Sequence, residues 1–214
     1  MSIAVAQAVS KNTLSSTITA TGGSGDRVLV VCVNSYNATL QGTISSVKLG
    51  TTSLVQAVTL TNTGDGFESS WIYYLLGAQS GQTSVVVSGS NLSVASSDGG
   101  VDIVELSGIA LSSALDKAVS AQSATGNYSI SSGTLAQADE FVIGTADGVS
   151  LGSASGWTMI GTPSGKATGY KIVSATTSQT FTGTASAGGW VSTLASFKAP
   201  SSSSKAVAAI ASML

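Results

Sequence analysis

Histidine is absent from this 214-residue chain, and cysteine and proline are nearly so, at one and two copies. Without histidine there is no imidazole base, no Ser-His-Asp arrangement, and none of the commonest metal ligand. One cysteine, Cys32, rules out an intrachain disulfide and any Cys-based metal site. It lies inside Arg27–Val33 (RVLVVCV), apolar on both faces, where a small buried hydrophobe is expected. A reactive thiol would need positive charge beside it. Charged residues make up only 8% of the chain, against about 25% in an average soluble domain. The net charge of −2 and the lone Arg27 leave no basic patch, so nucleic acid is not an expected partner. No stretch approaches the roughly 18 apolar residues of a membrane span, so no membrane partner is expected either. The N-terminal MSIAVAQAVSK lacks the basic start and long apolar run of a secretory signal. A protein made in a cytoplasm, and kept there or carried out in a particle, is expected. The sequons at Asn37, Asn91 and Asn127 then count as accidents of a Ser/Thr-rich chain.

What is present is strand. Apolar residues reach 43%, enough for a core, and they recur with period two among Val, Ile, Thr and aromatics. The pattern predicts strands at Ile3–Val9, Leu14–Ala20, Val28–Asn34, Ile44–Leu49, Leu54–Leu60, Ser69–Leu76, Thr83–Ser88 and Val101–Leu106. It continues with Tyr128–Ser132, Glu140–Thr145, Trp157–Ile160, Thr168–Val173, Gln179–Gly183 and Gly189–Phe197. Asp65-Gly66, Asp98-Gly99 and Asp147-Gly148 suit the positive φ of tight turns. Both prolines, Pro163 and Pro200, fall outside the strands.

One phrase occurs twice. Tyr73, Ala78, Gln82 and Thr83 match Tyr170, Ala175, Gln179 and Thr180 at a constant spacing of 97 (170 − 73). An AVS stretch, at Ala8–Ser10 and Ala118–Ser120, precedes the strands VLVV and FVIG. This predicts an all-β chain of two tandem, internally duplicated antiparallel β-sandwich units, Ig-like or jelly-roll-like, at 1–110 and 111–200. Residues 201–214 form a Ser-rich linker and a short apolar helix, with Val207, Ile210 and Leu214 on one face and Met213 beside them. Ten residues are too few for a helix to persist alone in water, where about 12–15 are needed. These four side chains are therefore the candidate partner-binding residues, docking on the chain's own sandwich or on a neighbouring subunit.

Catalytic chemistry finds few carriers. A Ser–Lys pair would have to use Lys48, Lys117, Lys166, Lys171 or Lys198, none in a recognisable nucleophile motif. Asp65, Glu68, Asp98, Asp102 and Glu105 are the acids from which a glycosidase pair would be drawn. Asp102 and Glu105 sit three apart on one strand and so point to opposite faces. No catalytic residue is assigned, and an enzyme is not expected. DGFE and SDGGVD place oxygen ligands around glycine as a calcium loop would, but hairpin turns account for both more simply. No cofactor is therefore expected. Trp71, Trp157 and Trp190 are candidates for stacking on sugars, but their strand positions favour core packing or burial at an interface.

WIYYLLGAQSGQT, VDIVELSGI, GWTMIGT and YKIVSATTSQTFTGT together resemble a loose group of bacterial and phage β-sandwich proteins from prophage or virion-structural neighbourhoods. The resemblance spans most of 65–198 and implies a virion role, such as capsid decoration, head fibre or tail surface. It carries over no functional residue. The expectation is a non-enzymatic structural protein on the surface of a bacteriophage particle, oligomeric and bound to other virion proteins. The alternative is a carbohydrate-binding module that adheres to cell-surface glycans.

Overall fold

The computed structural model describes residues 2–19, 27–62, 67–78, 81–94, 99–186 and 188–201. Val207, Ile210, Met213 and Leu214, and with them the C-terminal helix, lie outside the described residues, as do Asp65 and Asp98. The described residues are all-β. The first half contains β1 (Ala4–Lys11), β2 (Ser15–Thr17), β3 (Val28–Asn37), β4 (Thr43–Leu49), β5 (Thr52–Ser53), β6 (Val55–Thr61), β7 (Phe67–Leu76), β8 (Ser84–Ser90) and β9 (Gly100–Ser107). The second contains β10 (Leu115–Ser123), β11 (Tyr128–Ser131), β12 (Glu140–Gly148), β13 (Thr158–Met159), β14 (Lys166–Val173), β15 (Thr180–Gly183) and β16 (Trp190–Lys198).

These strands form four antiparallel sheets. Sheet A runs β1-β9-β3-β7-β6 and sheet B runs β2-β8-β4-β5. Sheet C runs β10-β16-β12-β14-β13, and sheet D pairs β11 with β15. Three cores fix the layer order as B, A, C, D. Val31, Val33, Val47 and Val85 fill the space between A and B. Val30, Ile72, Val104, Phe141, Ile143 and Phe197 fill that between A and C. Tyr128, Val142, Phe181 and Leu194 fill that between C and D. The middle strands β3 and β12 are covered on both sides, which is why VLVVCV and FVI lack polar alternation.

Sheets A and C have the same strand order, and their first strands carry the same irregularity. A register shift falls between Val5 and Gln7 in β1 and between Leu115 and Lys117 in β10. In A, Val28 pairs with Leu76 and Leu106; in C, Phe141 pairs with Ile172 and Phe197. By that ladder Tyr170 corresponds to Tyr74, a spacing of 96 (170 − 74), because each pairs with the matching residue, Ile143 or Val30. The spacing of 97 is therefore one residue out of register. A one-residue slip exchanges faces: Tyr73 belongs to the A–B core, whereas Tyr74 and Tyr170 both pack against the A–C core.

Candidate functional site: a buried polar network between the large sheets

Along six strands, the residues facing the A–C interface change from apolar at one end to polar at the other. β3 presents Val28, Val30, Cys32 and then Asn34, while β12 presents Phe141, Ile143 and then Thr145. β9 goes from Leu106 and Val104 to Asp102, and β16 from Phe197 and Ala195 to Thr193. β7 goes from Leu76, Tyr74 and Ile72 to Ser70, and β14 from Tyr170 to Thr168 and Lys166. The apolar end is closed by Ile3, Ile109 and Ala199, with Tyr74 edge-on to Phe197 at 5.3 Å and Tyr170 stacked on Phe141 at 5.6 Å.

The polar end is a connected network that crosses from one sheet to the other. Lys166 Nζ donates to Asp102 Oδ1 at 2.8 Å, and Thr168 Oγ1 donates to Asp102 Oδ2 at 2.6 Å. The side chains of the ion pair are 7% and 1% exposed for Lys166 and Asp102. Thr145 Oγ1 meets Thr168 Oγ1 at 2.7 Å and accepts from Asn34 Nδ2 at 2.7 Å. Ser70 and Thr193 share a hydroxyl contact of 2.8 Å. Lys166 Nζ also reaches Ser10 Oγ at 3.2 Å and the Lys11 carbonyl at 3.4 Å. Beside Lys11, an open polar depression of about 400 Å³ is lined by Ser15, Ser16, Thr17 and Ser84. Buried charge is tolerable only where it is paired and hydrogen-bonded, and this network meets that condition at Asp102.

Lys166 and Ser10 are the Ser–Lys contact that the sequence left without a motif. Three N–H donors meeting three acceptors are the pattern of an ammonium. The neighbouring Cys32 thiol is pushed well up by burial first and by the Asp102 carboxylate second, which fits the inert buried hydrophobe expected from RVLVVCV.

Asp102 and Glu105 do face opposite sides of β9. Glu105 points into the A–B sandwich, where it accepts from Arg27 Nε and from Gln7 Nε2. Glu68 accepts from Asn62 Nδ2 at 3.1 Å. Asp147, expected in a turn, instead continues β12, is buried, and pairs with Lys166 in the ladder. Among the described residues no group of three or more Cys, Asp or Glu side chains converges as a metal site would require.

The tryptophans are not brought together. Trp71 is 4% exposed in the A–B core, and Trp157 and Trp190 are 8% and 5% exposed in the C–D core. Trp157 packs edge-on against Phe181 at 4.9 Å and donates Nε1–H to the Thr180 carbonyl at 3.0 Å. Lys171 Nζ covers its outer face at 4.9 Å.

Another buried carboxylate, Glu140, lies at the start of β12. Glu140 accepts from the Gln137 N–H at 3.3 Å, and nearby Asp116 accepts from the Ala136 N–H at 2.8 Å. Burial pushes the Glu140 carboxyl upward and the Asp116 charge adds to this, against the lowering effect of hydrogen bonds from Ser196 and Gln137.

Fold and site together define an all-β protein of layered antiparallel sheets whose central interface is half apolar and half a polar network. The chain matches no family model, and no curated protein matches it. Sequence reasoning missed the network because each member reads as an ordinary polar residue of an alternating strand. The available signal was positional. V-x-V-x-C-x-N and F-x-I-x-T-x-D both turn polar at the same end of a strand that is otherwise buried on both faces.

Proposed function

We propose that the protein is a structural subunit of a bacteriophage particle, oligomeric and held to other virion proteins on the particle surface. One observation carries this reading most strongly. Seven charged residues, Arg27, Glu68, Asp102, Glu105, Glu140, Asp147 and Lys166, are buried, half of the fourteen that the structure describes. An already low charge content is thus lower still on the exposed surface, where Ser, Thr and small residues dominate. Soluble monomers of this size ordinarily rely on far more surface charge. Such a surface suits a protein covered by neighbours in an assembly. The shared strand order of sheets A and C, with matching irregularities in β1 and β10, supports a duplicated sandwich as the building unit. The likeness of WIYYLLGAQSGQT and YKIVSATTSQT to virion β-sandwich proteins supplies the particle.

The glycan-binding alternative rested on Trp71, Trp157 and Trp190 as a stacking surface, and their burial in two separate cores leaves it without that support. Sedimentation of the purified full chain, alone and with particles assembled without it, tests the proposal. Concentration-dependent oligomers and co-sedimentation are expected. A chain that stays monomeric and leaves such particles bare would overturn it.

A further inference from the structure

We propose that Lys166 and Asp102 condense into an intramolecular amide, a covalent tie between sheets A and C. The two side chains meet at 2.8 Å, Nζ to Oδ1, in a buried interface. Within the ion pair a proton passes from the ammonium to the carboxylate, which frees the nitrogen lone pair. The amine then attacks Asp102 Cγ, and Oδ1 departs as water with two of the three ammonium protons. The third proton stays on the amide nitrogen. No oxidant, cofactor or leaving group beyond water is required, so atoms and charge balance within the pair.

The surroundings fit this chemistry. Thr168 Oγ1 donates to Asp102 Oδ2 at 2.6 Å, which is the oxygen that takes negative charge in the tetrahedral intermediate. Thr168 is itself fixed by Thr145, and Thr145 by Asn34. Asp147, buried on the strand beside Lys166, is its ladder partner and brings a second carboxyl to the same face. Packing holds the reacting groups in contact, and such positioning is worth a large share of the barrier in intramolecular reactions.

The fold contains its own comparison. By the strand ladders, Thr193 in sheet C corresponds to Asp102 in sheet A, and Ser70 corresponds to Lys166. Ser70 and Thr193 touch at 2.8 Å, so the matching position on the other side is satisfied by two hydroxyls. The interface geometry thus does not itself demand a charged pair. A buried ion pair also adds little net stability over a neutral pair, whereas an amide fixes the two sheets irreversibly.

Intact-mass spectrometry of the purified full chain, denatured before measurement, decides the matter. The expected wild-type mass is one water below that of its sequence, and proteolysis yields a branched peptide joining the segments that contain Asp102 and Lys166. Lys166→Arg keeps the charge but forms no such amide, and is expected at its full sequence mass, as is Asp102→Ala. A folded wild-type chain at full sequence mass overturns the proposal. So does a water loss that persists in Lys166→Arg.

Discussion

At Gly144 a missing side chain is the structural feature. A β-carbon there would lie 2.5 Å from Cγ of Phe181, and one on its ladder partner Gly169 would lie 3.3 Å from Cε2 of the same ring. Two facing glycines therefore make the seat on which Phe181 lies, with Trp157 and Tyr128 packed around it. Phe181 belongs to β15, one of only two strands in sheet D, and a two-stranded sheet depends on its packing for stability. Gly144→Ala forces the ring or the strand to move. The expected loss is about 1–3 kcal/mol, the range for overpacking a filled core, read as a lower urea midpoint at unchanged slope. An unchanged midpoint would mean that sheet D moves away from sheet C at no cost.

At the scale of the element, strands were legible and faces less so. Fourteen segments were expected from period two, and each contains or overlaps a strand, because Val, Ile and aromatic alternation reports half-burial directly. β10 was missed. Its sequence, LDKAVSAQS, lies at an edge, buries little on either face, and is broken in register after Leu115. Neither cause leaves a clean alternation to detect, and edge strands routinely carry such shifts. Asp147-Gly148 failed as a turn for the opposite reason: tertiary burial in the A–C interface overrode a local preference. The network at Asp102 was illegible because its partners, Lys166 and Thr168, come from the other half of the chain.

The irregularity in β10 also places Asp116 beside Glu140, with a consequence for pH. Glu140 is raised above the ordinary glutamate value of 4.5. The folded state therefore holds this proton more tightly than the unfolded state does. Stability from this group is fully present below the ordinary value and declines as pH rises through the folded one. Glu140→Gln removes the term. Its stability should vary less with pH than the wild type over the window just above pH 4.5, as measured by urea titrations at several pH values. Parallel wild-type and variant curves across that window would exclude Glu140 as the source.

For the molecule as a whole, the question is whether four layers behave as one cooperative body. The core between sheets A and C draws on both halves of the chain about equally, from Val28, Ile72 and Leu106 to Phe141, Ile143 and Phe197. Each half also has a private core, between A and B and between C and D. If the shared core dominates, neither half keeps its structure once the other unfolds. Tryptophans report on the two separately, since Trp71 lies in the A–B core and Trp157 in the C–D core. One variant carries Trp157→Phe and Trp190→Phe and keeps Trp71; a second carries Trp71→Phe and Trp190→Phe and keeps Trp157. In each, the fluorescence midpoint should coincide with the far-ultraviolet circular dichroism midpoint, as a two-state transition requires. Phe197→Ala, added to the variant that keeps Trp71, makes the test directional. Phe197 belongs to β16 yet packs against Tyr74 of β7, and truncating a buried phenylalanine costs about 3–5 kcal/mol. The Trp71 transition should therefore fall to lower denaturant although the substitution lies in the other half of the chain. If Trp71 melts where it did before, while the dichroism signal splits, the halves are independent sandwiches and the central interface is a contact between two bodies.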